Sequence, residues 1–155
     1  LQLDSFVDGP GIRMVLWTQG CPHHCPGCHN PQTHDPDAGQ LYDVQELIHQ
    51  IEQEPLQSGL TLSGGEPFVQ SAALLPIAQA AKRKGLSLWA YSGYTYEQLL
   101  ELLDVLVDGR FLQEQKDYRL RFKGSRNQRI IDVPASLREG HVMLSSYDEV
   151  NLKLD

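Results

Sequence analysis

Three cysteines fall within eight residues of one another, in Gly20-Cys21-Pro22-His23-His24-Cys25-Pro26-Gly27-Cys28-His29-Asn30, and the 155-residue chain has no others. Their spacing is C-x3-C-x2-C. On a helix it would put all three on one face, but Gly20, Pro22, Pro26 and Gly27 oppose a helix and favour a tight loop that turns three sulfurs toward a common centre. An odd, clustered set argues against a disulfide framework and for metal or redox chemistry. Iron-sulfur clusters usually take four thiolates; with three, one iron lacks a protein sulfur, and an open coordination position is what a metal site keeps in order to bind substrate. Spacing alone leaves two alternatives standing. One is a Cys3His zinc site using His23, His24 or His29. The other is a dithiol pair in Cys25-Pro26-Gly27-Cys28, which would leave Cys21 unused. The histidines themselves read as surface or packing residues.

A second motif, Ser63-Gly64-Gly65-Glu66-Pro67, ends a short apolar stretch at Leu60 to Leu62, and its paired glycines let a ligand approach the backbone. By itself it reads as a strand-to-helix turn.

The elements that position these loops alternate. Met14 to Thr18 reads as a buried strand, and Val44, Leu47, Ile48 and Ile51 have helical spacing behind Asp43 as N-cap, with Glu46 three residues on. A second helix lies within Ser71 to Lys84, ended by Gly85 in the left-handed conformation, with Pro76 weakening its first turn. Leu86 to Tyr91 is a third strand. Thr95 with Gln98 forms a capping box for a helix carrying Leu99, Leu100, Leu102 and Leu103, and Val105 to Val107 is a fourth strand. Strands alternating with helices predict a mostly parallel sheet covered on both faces. A complete eight-unit barrel takes roughly 200 residues or more, so the expected fold is α/β, a partial, open (β/α) barrel of about five or six units. Ligands of such sheets sit beyond the carboxyl ends of the strands. The cysteine loop, the Ser63 to Pro67 loop and the Ser92 to Tyr94 loop all emerge there.

Composition fits one domain over residues 1–155, with 133–155 as a peripheral tail: 41% of residues are hydrophobic and 21% charged. The net charge of -7 disfavours nucleic acid and anionic membrane surfaces as partners. No apolar run reaches membrane-spanning length, and Leu1 to Pro10 carries acids where a signal peptide would be basic, which predicts a cytoplasmic location. Six of the 13 lysines and arginines lie between Lys116 and Arg129. Arg119, Arg121 and Lys123 alternate with Tyr118, Leu120 and Phe122, predicting a strand with one wet face that is either solvated or a docking surface.

Taken together, the cysteine loop and the Ser63 to Pro67 loop resemble the radical S-adenosylmethionine superfamily. Val7-Asp8-Gly9-Pro10-Gly11-Ile12-Arg13, running into Thr18-Gln19-Gly20-Cys21-Pro22, resembles the opening signature of its glycyl-radical-enzyme activases. Leu106-Val107-Asp108-Gly109-Arg110-Phe111, then Asp117, Leu120 and Lys123-Gly124-Ser125-Arg126-Asn127-Gln128, is similar to the activases of anaerobic ribonucleoside-triphosphate reductases. The resemblance implies a radical SAM barrel in which Cys21, Cys25 and Cys28 hold a 4Fe-4S cluster. The open iron would chelate S-adenosylmethionine, with Gly64, Gly65 and Glu66 positioning it, Ser92 and Gly93 as further contacts, and backbone contacts from Gly27, Cys28 and His29. Gly27 stands where many members carry an aromatic residue near the adenine. The implied partners are the catalytic subunit of the reductase and a low-potential electron donor such as flavodoxin or ferredoxin. Other activases, of the pyruvate formate-lyase type, and enzymes acting on small molecules, such as carboxy-deazaguanine synthase, share the core motifs. A zinc-stabilised binding module is the non-enzymatic alternative.

Overall fold

The computed structural model describes residues 1–94 and 103–148. In chain order they form β1 (Gln2–Ser5), β2 (Arg13–Thr18), α1 (Val44–Gln53), β3 (Gly59–Gly64), α2 (Ser71–Arg83), β4 (Ser87–Tyr91), β5 (Val105–Asp108), β6 (Arg129–Asp132), α3 (Val133–Glu139) and β7 (Met143–Leu144). The fold is α/β. All seven strands share one sheet in sequential order. β2 to β5 run parallel, as alternation with helices requires, whereas β1, β6 and β7 pair antiparallel at the two edges. The cause of the reversal at β6 is the segment between β5 and β6. Parallel neighbours need a crossover, but this segment contains only a 3-10 turn at Gln113–Gln115. The predicted capping box at Thr95 and Gln98, and the helix positions Leu99, Leu100 and Leu102, lie outside the described residues.

Local signals account for the two long helices. Asp43 caps α1, its carboxylate accepting from the amides of Gln45 at 2.8 Å and Glu46 at 3.1 Å. Leu47, Ile48 and Ile51 are then buried together. Pro76 lies inside α2, which starts at Ser71, so the Ala72 carbonyl loses its helical donor without shortening the first turn. Gly85, at φ 80°, turns the chain out of the helix as expected.

Alternation along the strands separates two environments. Met14, Leu16, Leu60, Leu62, Leu88, Ala90, Leu106 and Ile131 join the helices in the main core. The opposite face carries Trp89, Val105, Val107 and Ile130, with Tyr91 and Phe122 against them. At its amino end sits Arg13, fully buried. Its guanidinium donates to Thr61 Oγ1 at 2.8 Å, Ser87 Oγ at 2.7 Å and the carbonyls of Leu60 at 2.8 Å and Ser87 at 3.0 Å. Burial lowers its pKa to about 10, yet the fork ties three strands together at one level, where Arg13, Gly59 and Ser87 are in register. No helix among the described residues is long and apolar enough to cross a membrane.

The expectation of a strand over 118–123 is not met: these residues form turns and bends. Asp117 accepts from the Arg119 amide at 3.0 Å, which turns the chain, and Phe122 has φ 62°, incompatible with a strand. The predicted faces are correspondingly wrong. Lys123 is turned inward, 5% exposed and paired with Asp148 at 2.7 Å, while Tyr118 is 85% exposed. Asp148 also accepts from the Ile130 amide at 3.0 Å, so the chain beyond α3 is tied to β6.

Candidate metal centre

The register of the parallel strands brings the motifs together. Thr18, last in β2, lies opposite Gly64, last in β3, so the two loops leave the sheet side by side. Tyr91, last in β4, lies opposite Val107, which puts Ser92 and Gly93 beside the segment that starts at Gly109. These carboxyl ends surround a cavity of about 410 Å³. Cys21, Cys25, Cys28, His29, Gly64, Gly65, Glu66, Ser92 and Gly93 all line it. Gly27 does not. It has φ 73°, and a Cβ there would lie 2.7 Å from Gln113 Cδ, so its place is against the wall behind the loop.

The cysteine loop is a loop, as its glycines and prolines demanded. Gly20, His24 and Gly27 have positive φ, which curls the chain through three left-handed points. Its base is pinned by Gly20 N to Thr33 O at 2.9 Å and Cys21 N to His34 O at 3.1 Å. The Cys28 amide donates to Cys25 O at 3.1 Å, and the Asn30 amide to Cys28 Sγ at 3.4 Å. All three thiols are free and half-buried. Desolvation raises the Cys25 pKa most, and the neighbouring Cys21 and Cys28 add to it; the Phe111 amide, donating to Cys25, works the other way.

Gly64 and Gly65 have a structural reason to be glycine that their sequence does not reveal. The Gly65 amide donates to Thr18 O at 2.8 Å and the Glu66 amide to Gly20 O at 2.9 Å, so this loop lies directly on the base of the cysteine loop. A Cβ on Gly65 would lie 2.8 Å from Gly20 C and 2.9 Å from Thr33 O. Gly64, at φ 102°, has β2 backbone in the same position. The side chain of Glu66 is 1% exposed. Its Oε1 accepts from Phe68 N at 3.1 Å and Ser92 Oγ at 2.8 Å, and its Oε2 accepts from Gly93 N at 2.7 Å, with His23 Nε2 at 3.3 Å.

The remaining walls include Asp8, Phe111 and Lys123, which lie in the signature stretches of the sequence without having been assigned a place in the site, and Tyr91, expected only as the end of a strand. Asp8 is held by Ser5 Oγ at 2.5 Å, and its carbonyl accepts from Thr61 Oγ1 at 2.8 Å. Burial and then Asp8 raise the Tyr91 pKa. Tyr91 was legible as the residue two beyond Trp89 on the same strand face. Phe111 packs on His29 with ring centroids 5.3 Å apart. The Lys123 to Gln128 signature builds the wall behind it: Gln128 Oε1 accepts from Gly124 N at 2.9 Å, its Nε2 donates to Gly109 O at 3.0 Å, and Asn127 Nδ2 donates to Arg110 O at 2.8 Å. Of the basic residues here, Lys123 pairs with Asp148, Arg119 and Arg126 with Asp117, and Arg129 with Asp108. Three carboxylates thus face four of the six cations between Lys116 and Arg129.

Chemically, three soft thiolate donors on one curled loop, with amide donors on two of them and no fourth cysteine, suit an iron-sulfur cluster with one open iron. Among the described residues no three His, Cys, Asp or Glu side chains are gathered for a single metal ion. The histidines pack within the protein: His23 on Tyr94 at 4.5 Å, His24 on His34 at 5.0 Å and His29 on Phe111.

Residues 7–131 match the family model described as a 4Fe-4S single cluster domain. The chain is 37% identical over 137 residues to the anaerobic ribonucleoside-triphosphate reductase-activating protein of Haemophilus influenzae, an alignment covering 79% of this chain and 88% of that one. Proteins of the same name from Vibrio cholerae and Escherichia coli K12 are 38% and 34% identical, over 79% and 80% of this chain and 88% and 90% of theirs.

Proposed function

The chain belongs to the family of anaerobic ribonucleoside-triphosphate reductase-activating proteins, and from that premise we propose that it is a radical S-adenosylmethionine activase that generates a glycyl radical on the catalytic subunit of such a reductase. The observation that carries this reading is the meeting of Cys21, Cys25 and Cys28 with the Gly64-Gly65 loop around one cavity at the carboxyl ends of parallel strands. Cys21, Cys25 and Cys28 would hold the 4Fe-4S cluster, which when bound and reduced would supply the electron for reductive cleavage of S-adenosylmethionine, the chemistry that a glycyl-radical activase needs.

The protein's own part is to orient and to exclude water. The amides of Asn30 and Phe111 donate to the sulfurs of Cys28 and Cys25, Gly64 and Gly65 would border the cosubstrate at the strand end, and Ser92 and Gly93 border the cavity from the next strand. His29 and Phe111, with ring centroids 5.3 Å apart, offer the cavity flat ring surfaces. The sequential sheet, with the described helices on one face where cover on both was expected, and with the cavity at its carboxyl end, supports reading the fold as a partial, open (β/α) barrel. A low-potential donor such as flavodoxin or ferredoxin supplies the electron, in the cytoplasm.

Anaerobically reconstituted protein is expected to be brown, to contain iron and sulfide, and to cleave S-adenosylmethionine when reduced; Cys28→Ala should lose the colour and the cleavage. Mixed with the reductase catalytic subunit it should produce the glycyl radical signal in electron paramagnetic resonance. A colourless, zinc-loaded protein without cleavage would overturn the proposal.

A further inference from the structure

We infer that Glu66 is a positioning residue which, through His23, locks the cysteine loop to the ends of β3 and β4, and that its carboxylate is not a ligand of the cosubstrate's amino group. The lock is a property of the protein alone; only the statement about the cosubstrate rests on the activase reading.

A carboxylate has about four lone-pair sites, and each oxygen of Glu66 already faces two protein groups: Phe68 N and Ser92 Oγ on one, Gly93 N and His23 Nε2 on the other. An incoming ammonium would have to displace Phe68 N, Ser92 Oγ or Gly93 N and leave a buried donor without an acceptor, which folded proteins rarely tolerate, or push the buried His23 ring away from Oε2. His23 is built into this arrangement. Its side chain is 5% exposed, and its Nε2 is buried with no aligned hydrogen-bond partner, facing Glu66 Oε2 at 3.3 Å. Gly93 makes the room, since a Cβ there would lie 2.5 Å from His23 Cδ2 and 2.6 Å from Nε2. The Tyr94 ring closes the other side at 4.5 Å.

Residue 66 therefore grips the loop on both sides of Cys21. Its amide holds Gly20 O at 2.9 Å, and its side chain holds the imidazole of His23. Through Ser92 and Gly93 the same carboxylate fixes the next strand end, so the position of Cys21 relative to two strands is set by one buried group. The amino group of a bound cosubstrate is then left to backbone carbonyls and hydroxyls of the cavity wall, such as Ser63.

Two measurements decide this. In cluster-free protein, His23→Ala should speed amide exchange of residues 21–30 by about tenfold, the loss of one contact to a charged group, with α1 and α2 unchanged and His23→Asn restoring part of the protection. Loop exchange that does not respond to His23→Ala overturns the lock. In reconstituted protein, equilibrium binding of S-adenosylmethionine and of its des-amino analogue should fall by the same factor in Glu66→Gln, and likewise in His23→Ala should Glu66→Gln not fold. A loss confined to S-adenosylmethionine makes Glu66 an amino-group ligand and overturns the inference. If the unsubstituted protein binds neither compound, the activase reading fails, while the exchange experiment still decides the lock.

Discussion

Gly65→Ala should destabilise the cluster-free protein more than its one added methyl group would lead one to expect. The methyl would lie 2.8 Å from Gly20 C and 2.9 Å from Thr33 O, and closer still to Gly20 O. All three neighbours are backbone, so no side chain can swing away, and the two loops must separate by several tenths of an ångström. Overpacking of this kind costs about 1–3 kcal/mol. Separation also strains the bond from Glu66 N to Gly20 O, 2.9 Å long, worth about 1 kcal/mol net. A total of about 3 kcal/mol corresponds to a fall in Tm of about 6–12 °C for a chain of this size. The assay is urea denaturation and thermal unfolding of the cluster-free protein, with Gly85→Ala as the comparison. Gly85 has φ 80° but nothing within 4 Å of its Cβ position, so its substitution should cost only the backbone term, about 1–2 kcal/mol. Gly65→Ala within about 0.5 kcal/mol of the unsubstituted protein, or no worse than Gly85→Ala, would refute the claim that close backbone packing is what requires glycine there.

Arg13→Lys keeps the charge but loses the planar fork that reaches Thr61, Leu60 and Ser87; denaturant unfolding should show a loss of about 2–4 kcal/mol, and a loss below about 1 kcal/mol would mean that the fork does not tie the strands. Asp117 is held well below the usual carboxylate range, first by the Arg119 side chain, then by the Arg119 amide and by Arg126. A carboxyl with a depressed folded pKa adds stability that is present above its unfolded pKa and lost as pH falls through the folded one. In a carbon-13 titration the Asp117 carboxyl should be among the last to protonate, and Arg119→Ala should move it up toward the ordinary range; no movement would remove the assigned cause.

Much of the site was legible because its determinants are local. The C-x3-C-x2-C spacing with its glycines and prolines specifies a curled thiolate loop, Asp43 followed by helical periodicity specifies α1, and strand-helix alternation places the loops at the carboxyl ends of parallel strands. Alternation misled at 118–123, where the same pattern of charged and apolar residues was overridden by the turn at Asp117 and by the pairing of Lys123 with Asp148, 25 residues further on. The antiparallel return of β6 was likewise invisible, since it depends on where a long segment travels and not on its local preferences.

What the sequence by itself determined is the chemistry the chain can hold: three thiolates without a fourth, beside a paired-glycine loop. What only the tertiary structure decided is how those groups are held. Gly65 answers to a carbonyl at Gly20, and Glu66 to donors at Ser92 and Gly93, 26 and 27 residues away, and to the ring of His23. Such contacts arise from the register of neighbouring strands, which is set by the whole sheet and leaves no mark within any short stretch of chain.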